Sequence, residues 1–289
     1  MCYFLFRSIA ENYVLKQWSV KILDLAVFYI KKNLYDVVKR FCWRQFVLNE
    51  FSRMEMIFGP EKMAVLSKAR VAVFGVGGVG SYAVEALARC GIGNLDLIDD
   101  DVFSVTNINR QLFALHSTVG LNKVDAAAAR IKDINPKCNV TCHKMFFLKE
   151  NAGEIDFSVF DYVLDCVDTV SAKIQIAVEA QKNGIGVISA MGTGNKINPL
   201  KLVIGDLFET HTCPLARVMR KELKKRGIKN LKCVYSTEEP KKALEKENME
   251  MKGNNPAPGS VSFVPSVAGL FMAYEAVKVL TGIKEGKSV

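Results

Sequence analysis

The sequence predicts an α/β fold, a mainly parallel sheet with helices on both faces, preceded by an N-terminal helical extension. Three observations predict it. From Arg70 onward, short apolar β-rich runs alternate with longer helical patterns, the order a parallel sheet requires. Residues 71–80, Val-Ala-Val-Phe-Gly-Val-Gly-Gly-Val-Gly, carry one such run directly into a glycine turn, and a helix pattern begins at Ser81. Gly184 and Gly227 stand where two later helices should stop.

In order, strands are expected at 70–75, 94–99, 138–143, 161–166 and 186–190, with weaker ones at 200–204, 232–235 and 260–264. Helices are expected at 78–90, 121–134, 170–183, 213–226 and 266–281. Residues 236–260 are rich in Lys, Glu, Asn, Pro and Gly and predict a long mobile loop. Loops of that length in a compact domain are often lids or binding segments. Residues 1–46 differ from the rest of the chain. They are basic and aromatic-rich, and their spacing predicts one or two amphipathic helices, set before a main domain at 47–289. No internal repeat is present.

With 289 residues and 49% hydrophobic content, the chain can bury a full core. Its net charge of +9 favours an anionic partner without bearing on the fold. The eight cysteines are scattered and no Cys-x-x-Cys occurs, which argues for free thiols in a reducing, cytoplasmic setting and against a four-cysteine zinc site. The most apolar stretch, Val261–Tyr274, is interrupted by Pro265 and Gly269 and closed by Glu275. A buried helix is expected there and no stable membrane insertion.

The glycines at 75, 77, 78 and 80 create bare backbone at a helix start, where N–H groups and the positive helix end suit phosphate. A nucleotide site of Rossmann-like form is therefore expected. Asp99 closes the second strand, where an acid can bond ribose hydroxyls. A dehydrogenase would need little more. This chain adds Asn107, Arg110 and Lys123 at the same sheet end, a polar amide and two cations suited to a triphosphate. The run Val163-Leu-Asp165-Cys-Val-Asp168 ends an apolar strand in two carboxylates. Asp168 is placed for Mg²⁺, which takes one or two carboxylates with phosphate oxygens, and Asp165 for capping the following turn.

These residues resemble the ubiquitin-activating-enzyme superfamily, whose members adenylate carboxylates with ATP. The matching positions are Arg53, the Gly75–Gly80 loop, Asp99, Asn107, Arg110, Gln111, Lys123 and Asp168. The resemblance implies that Asp99 holds ribose, that Asn107, Arg110 and Lys123 hold phosphates, and that Asp168 holds Mg²⁺. It also implies a homodimer in which Arg53 reaches the γ-phosphate of the other subunit.

Within the superfamily, bacterial sulfur-carrier activators usually carry two Cys-x-x-Cys pairs, which this chain lacks. Its second half instead resembles the tRNA threonylcarbamoyladenosine dehydratases through Asp206-Leu-Phe-Glu-Thr, Pro214-Leu-Ala, Lys221-Glu-Leu-Lys-Lys-Arg-Gly and Cys233-Val-Tyr-Ser-Thr-Glu-Glu-Pro. That resemblance implies ATP-dependent dehydration of threonylcarbamoyladenosine in tRNA, which closes a ring. The alternative is adenylation of the C-terminal glycine of a ubiquitin-like sulfur carrier. A sulfur-transfer or helper protein is a further partner the resemblance admits. Family chains usually begin near Asn49–Arg53, so residues 1–46 are also explained by a mis-assigned start.

Cys213 and Cys233 are candidate thiols, but neither has an evident histidine partner, and Cys213 before Pro214 suits a helix cap. Arg217, Arg220, Lys221 and Lys224 load the helix after Pro214 with positive charge and form a candidate RNA-binding face beside the reading as a solvated surface. Gly192 and Gly194 admit either close approach of substrate or a plain turn.

Overall fold

The computed structural model describes residues 48–242 and 258–283, together with two short strands at Met251–Lys252 and Asn255–Pro256. The chain divides into two compact units, Met1–Asn49 and Glu50–Val289, and the second holds the whole sheet. The expected helical extension at 1–46 lies outside the described residues.

The second unit runs α1 (Ser52–Leu66), β1 (Arg70–Phe74), α2 (Gly80–Arg89), β2 (Asn94–Ile98), α3 (Lys123–Ile134), β3 (Asn139–His143), β4 (Tyr162–Asp165), α4 (Val170–Asn183), β5 (Gly186–Ala190), β6 (Leu202–Asp206), α5 (Pro214–Lys224), β7 (Lys232–Ser236) and α6 (Phe263–Thr281). Between β7 and α6, β8 (Met251–Lys252) and β9 (Asn255–Pro256) pair antiparallel. Seven strands form one sheet in the order β3-β2-β1-β4-β5-β7-β6, parallel except for β6 against β7. The α/β reading is borne out.

Burial explains the sheet. In β1, Val71, Ala72, Val73 and Phe74 are all buried, as a central parallel strand covered on both faces must be. Val71, Val73, Leu95 and Leu97 face α2, α3 and α6 in the largest core. Ala72, Phe74, Ile98 and Val163 face the other way, onto Phe147, Phe157, Phe160 and Ile176 of α4. A third cluster joins α4 to α5.

Among the described residues, α6, with 19 residues, is the one helix long and apolar enough to cross a membrane, and half of its best window is buried. It packs on the start of α2 so closely that a Cβ at Gly269 would overlap the Val79 carbonyl oxygen. That packing makes it a core helix of this fold.

Two local expectations need correction. Residues 260–264 form no strand: Phe263 begins α6, and Pro265 sits in its first turn, where a missing N–H costs nothing. The weak strand expected at 200–204 begins only at Leu202, after a 3₁₀ turn at Pro199–Lys201. α1 adds to the expected elements, and it kinks at Gly59, whose φ of 76° lies in the left-handed region.

Strand order fixes where a ligand can sit. The chain steps from β1 outward to β2 and β3, then returns to place β4 on the other side of β1. In such sheets the crevice at the carboxyl ends beside that reversal is the binding site.

Candidate active site

The register places two of the expected groups, Gly75 and Asp99, at one level with Cys166. Phe74 pairs with Ile98 on one side and with Asp165 on the other. The next residues of the three strands, Gly75, Asp99 and Cys166, therefore share the carboxyl rim. A Cβ at Gly75 would lie 2.9 Å from the Cys166 carbonyl oxygen and 3.0 Å from the Val167 nitrogen, and φ there is 86°, so only glycine fits. A Cβ at Gly80 would overlap the Gly75 carbonyl oxygen. At Gly77 the nearest atom to such a Cβ is the Gln111 amide nitrogen at 3.8 Å, so this part of the turn keeps an open face.

Asp99 is tied to that turn. Its Oδ2 accepts from the Val76 N–H at 2.6 Å and its Oδ1 from the Asp101 N–H at 2.9 Å. Burial pushes its carboxyl above the ordinary value, against the opposing pull of the Lys123 charge and these two amides. Lys123 opens α3 with its side chain buried, 3.9 Å from Asp99 and 2.5 Å from Asp101. Asp99, Asp100 and Asp101 lie together, and the lysine offsets part of their charge.

Arg110 reaches the same rim from the loop after β2. The Leu112 N–H donates to Ser81 Oγ at 3.1 Å, clamping this loop onto the start of α2. The Arg110 Cγ then lies 3.6 Å from where a Cβ of Gly78 would be. One nitrogen, Nη1, donates to the Thr106 carbonyl at 2.8 Å and to Asn109 Oδ1 at 3.1 Å. The Nε and Nη2 edge has no acceptor among the described residues, a two-donor fork suited to phosphate. Asn107 differs from expectation in one respect: its Oδ1 accepts from the Ser104 N–H at 3.1 Å, so the oxygen end holds its own loop.

Asp168 is exposed in the coil after β4, two residues beyond the Cys166 carbonyl that abuts Gly75. Asp165 does not cap a turn. It is buried, takes both oxygens to Lys173 Nζ at 3.0 Å, and accepts from Ser189 Oγ at 2.5 Å. Lys173 is wholly buried as well and also donates to the Val167 carbonyl at 3.0 Å, which fixes the turn that carries Asp168. Arg53 is exposed in the first turn of α1, with no hydrogen bond or ion pair among the described residues. The glycine turn, Asp99, Arg110, Lys123 and Asp168 are thus brought to one rim, while Arg53 faces solvent on α1.

The ThiF family model matches residues 51–289, a span that includes every element of this site. This chain belongs to the ThiF family. Within it the chain is a member of the tRNA threonylcarbamoyladenosine dehydratases. It is 44% identical over 239 residues to the tRNA threonylcarbamoyladenosine dehydratase of Bacillus subtilis, covering 80% of this chain and 94% of that one. The crystal structure of the E. coli tRNA N6-threonylcarbamoyladenosine dehydratase in complex with AMP superposes with a TM-score of 0.73 at 33% identity, covering 83% of this chain and 96% of the other. The complex of that protein with ATP gives a TM-score of 0.71 at 33% identity and the same coverages.

The remaining candidates of this ThiF-family chain lie elsewhere. Cys213 occupies the N-cap position of α5 but makes no side-chain cap hydrogen bond, so its expected capping role is absent. Cys233 is fully buried in β7, and burial pushes its thiol up to about 12, which keeps it protonated at neutral pH. On α5, Arg217, Lys221 and Lys224 are exposed, whereas Arg220 is not a free surface cation. Its guanidinium donates to the Thr210 carbonyl at 2.8 Å and to the Thr210 hydroxyl, pinning α5 to the turn before it. Gly194 is filled by the chain itself: a Cβ there would lie 2.8 Å from Pro258 Cβ. The sequence singled out neither Lys173 nor Asn109. A lysine within an otherwise apolar helix pattern, eight residues after an acidic strand end, was the available signal for the first.

Proposed function

We propose that this protein is an ATP-dependent enzyme that activates the carboxylate of threonylcarbamoyladenosine in tRNA and closes it to the cyclic, dehydrated nucleoside. The observation that carries this reading is the convergence of Asp99, Lys123 and the open Arg110 fork on one glycine turn. A carboxylate oxygen is a poor leaving group, and bound ATP supplies the phosphoryl group that makes it a good one. In this reading Asp99 holds the ribose, the turn amides and the start of α2 hold the phosphates, and Arg110 and Lys123 offset the charge that develops on them. Asp168 offers an exposed carboxylate of the kind Mg²⁺ needs beside phosphate oxygens, and that donor set fits the ion.

Ring closure joins two groups of one nucleoside, so the protein need only hold them in register; oriented intramolecular reactions reach effective molarities on the order of 10⁵–10⁸ M. A buried, protonated Cys233 fits a route without a protein thiol. The exposed Arg217, Lys221 and Lys224 suit tRNA phosphates. The exposed Arg53 stands near the exposed Met56 and Ile57 of α1, an apolar surface suited to a second copy in a homodimer. A cytoplasmic setting follows from the substrate proposed.

Incubation with ATP, Mg²⁺ and tRNA carrying threonylcarbamoyladenosine should reduce the nucleoside mass by one water. In the same assay KM for tRNA should climb steeply with salt, as phosphate contacts require. An unchanged nucleoside, with ATP consumed only when a small Gly-Gly-ended protein is added, would refute the reading in favour of a sulfur-carrier activator.

A further inference from the structure

Arg110 shares its anchor with a distant part of the chain. Its Nη1 donates to the Asn109 side-chain oxygen at 3.1 Å, while the Asn109 amide nitrogen donates to the Ser260 carbonyl at 3.0 Å. Ser260 adjoins Gly259, whose carbonyl accepts from the Asn195 N–H at 2.7 Å. The Asn195 carbonyl in turn accepts from the Lys241 N–H at 2.7 Å. The segment between Lys241 and Gly259 thus leaves and returns at one residue, Asn195, whose φ is 59°.

The same turn leads to α5. Beyond Asn195, the Ile197 and Asn198 N–H groups donate to the Glu238 carboxylate at 3.1 and 2.8 Å. Before it, a Cβ at Gly192 would lie 3.9 Å from both Cys213 Sγ and Leu215 Cβ, at the start of α5. Lys196 is buried between, donating to the Gly192 carbonyl at 2.8 Å. The turn Gly192–Asn195, which lies beside the start of α5, is therefore linked by hydrogen bonds and the intervening backbone to Gly259–Ser260, Asn109 and the phosphate-binding fork of Arg110.

We infer that Asn109 is a positioning residue that couples tRNA bound on α5 to the nucleotide held by Arg110. This rests on the proposed reaction and on α5 as its RNA-facing surface. Coupling between two binding sites is reciprocal, so tRNA must tighten nucleotide by the factor with which nucleotide tightens tRNA. Asn109 is exposed, so its removal should leave the fold stable.

The test uses the full chain, a non-hydrolysable ATP analogue and tRNA carrying threonylcarbamoyladenosine. In the unaltered protein the tRNA should lower the analogue Kd on the order of tenfold. In Asn109→Ala that effect should vanish, with Tm nearly unchanged and the analogue alone bound more weakly through loss of the Arg110 acceptor. Asn109→Asp keeps the acceptor for Arg110 but loses the donor to Ser260, and it should lose the effect too. Retention of the full effect in Asn109→Ala overturns the inference, as does its absence from the unaltered protein. A Tm falling together with the affinity for analogue alone assigns Asn109 a structural role and overturns it as well. Turnover by the unaltered protein separates these outcomes from failure of the proposed reaction, which would abolish turnover itself.

Discussion

Replacing Arg110 or Lys123 by alanine should lower kcat/KM for ATP-dependent turnover by about 10²–10³-fold each, the cost of deleting one preorganised charge-stabilising donor. For Arg110 the reason is the fork: Nη1 is anchored on Thr106 and Asn109, which aims the Nε and Nη2 edge past the Gly78 backbone. Arg110→Lys keeps the charge and loses the two parallel donors, so it should recover only part of the activity. Lys123→Ala carries a second, pH-dependent signature. Asp99 is already held above its ordinary value by burial, and the lysine charge is the largest influence opposing that rise. Without it the carboxyl rises further. An acid with a raised folded value binds more protons folded than unfolded, so stability falls as pH rises through the window between the two values. The Lys123→Ala protein should therefore gain Tm relative to the unaltered protein on mild acidification. Identical pH profiles for the two proteins would contradict the placement of Lys123 against Asp99.

Lys173→Met should destabilise the protein by about 3–5 kcal/mol, because it leaves the buried Asp165 carboxylate without its counter-charge. Both side chains are inaccessible to water, with 0% and 1% exposure, so solvent cannot take the place of the lost partner. Ser189 Oγ donates a single hydrogen bond to that carboxylate and cannot replace the charge. At about 2–4 °C per kcal/mol for a domain of this size, the Tm should drop on the order of 6–20 °C. Adding Asp165→Leu should recover much of the loss, since no unpaired charge then remains. A Lys173→Met protein with the Tm of the unaltered chain would show that the pair does not hold the β4–α4 turn.

The fold was largely legible because its signals are local. The strands β1, β2, β4 and β5 are short, largely buried apolar runs that alternate with helical patterns, and Gly184 ends α4 in the left-handed conformation expected of it, with φ of 66°. The failures are local too. Val261–Val264 has β-like composition, but tertiary packing of α6 on α2 overrides it. α1 is hidden in the sequence because Gly59–Pro60 breaks its pattern in the middle.

At the site, Asp99 and Lys123 were legible because one follows a strand and the other opens a helix, whereas Arg110, in the loop between them, was legible through its residue type, its spacing and the family resemblance. Their partners were not. Asp165 with Lys173 and Ser189, Arg220 with Thr210, and Asn109 with Ser260 are pairings that only the folded chain creates. Arg220 shows the consequence, since a cation on a basic helix reads as surface until its acceptor is in view.

Activation of a carboxylate at this rim is tested most directly by labelling that carboxylate. Threonylcarbamoyladenosine bearing ¹⁸O in both carboxyl oxygens should yield a cyclic nucleoside retaining one label, with the other on the phosphorus-containing product, whether AMP or phosphate. Label released only to water, with none on any phosphorus product, would contradict it.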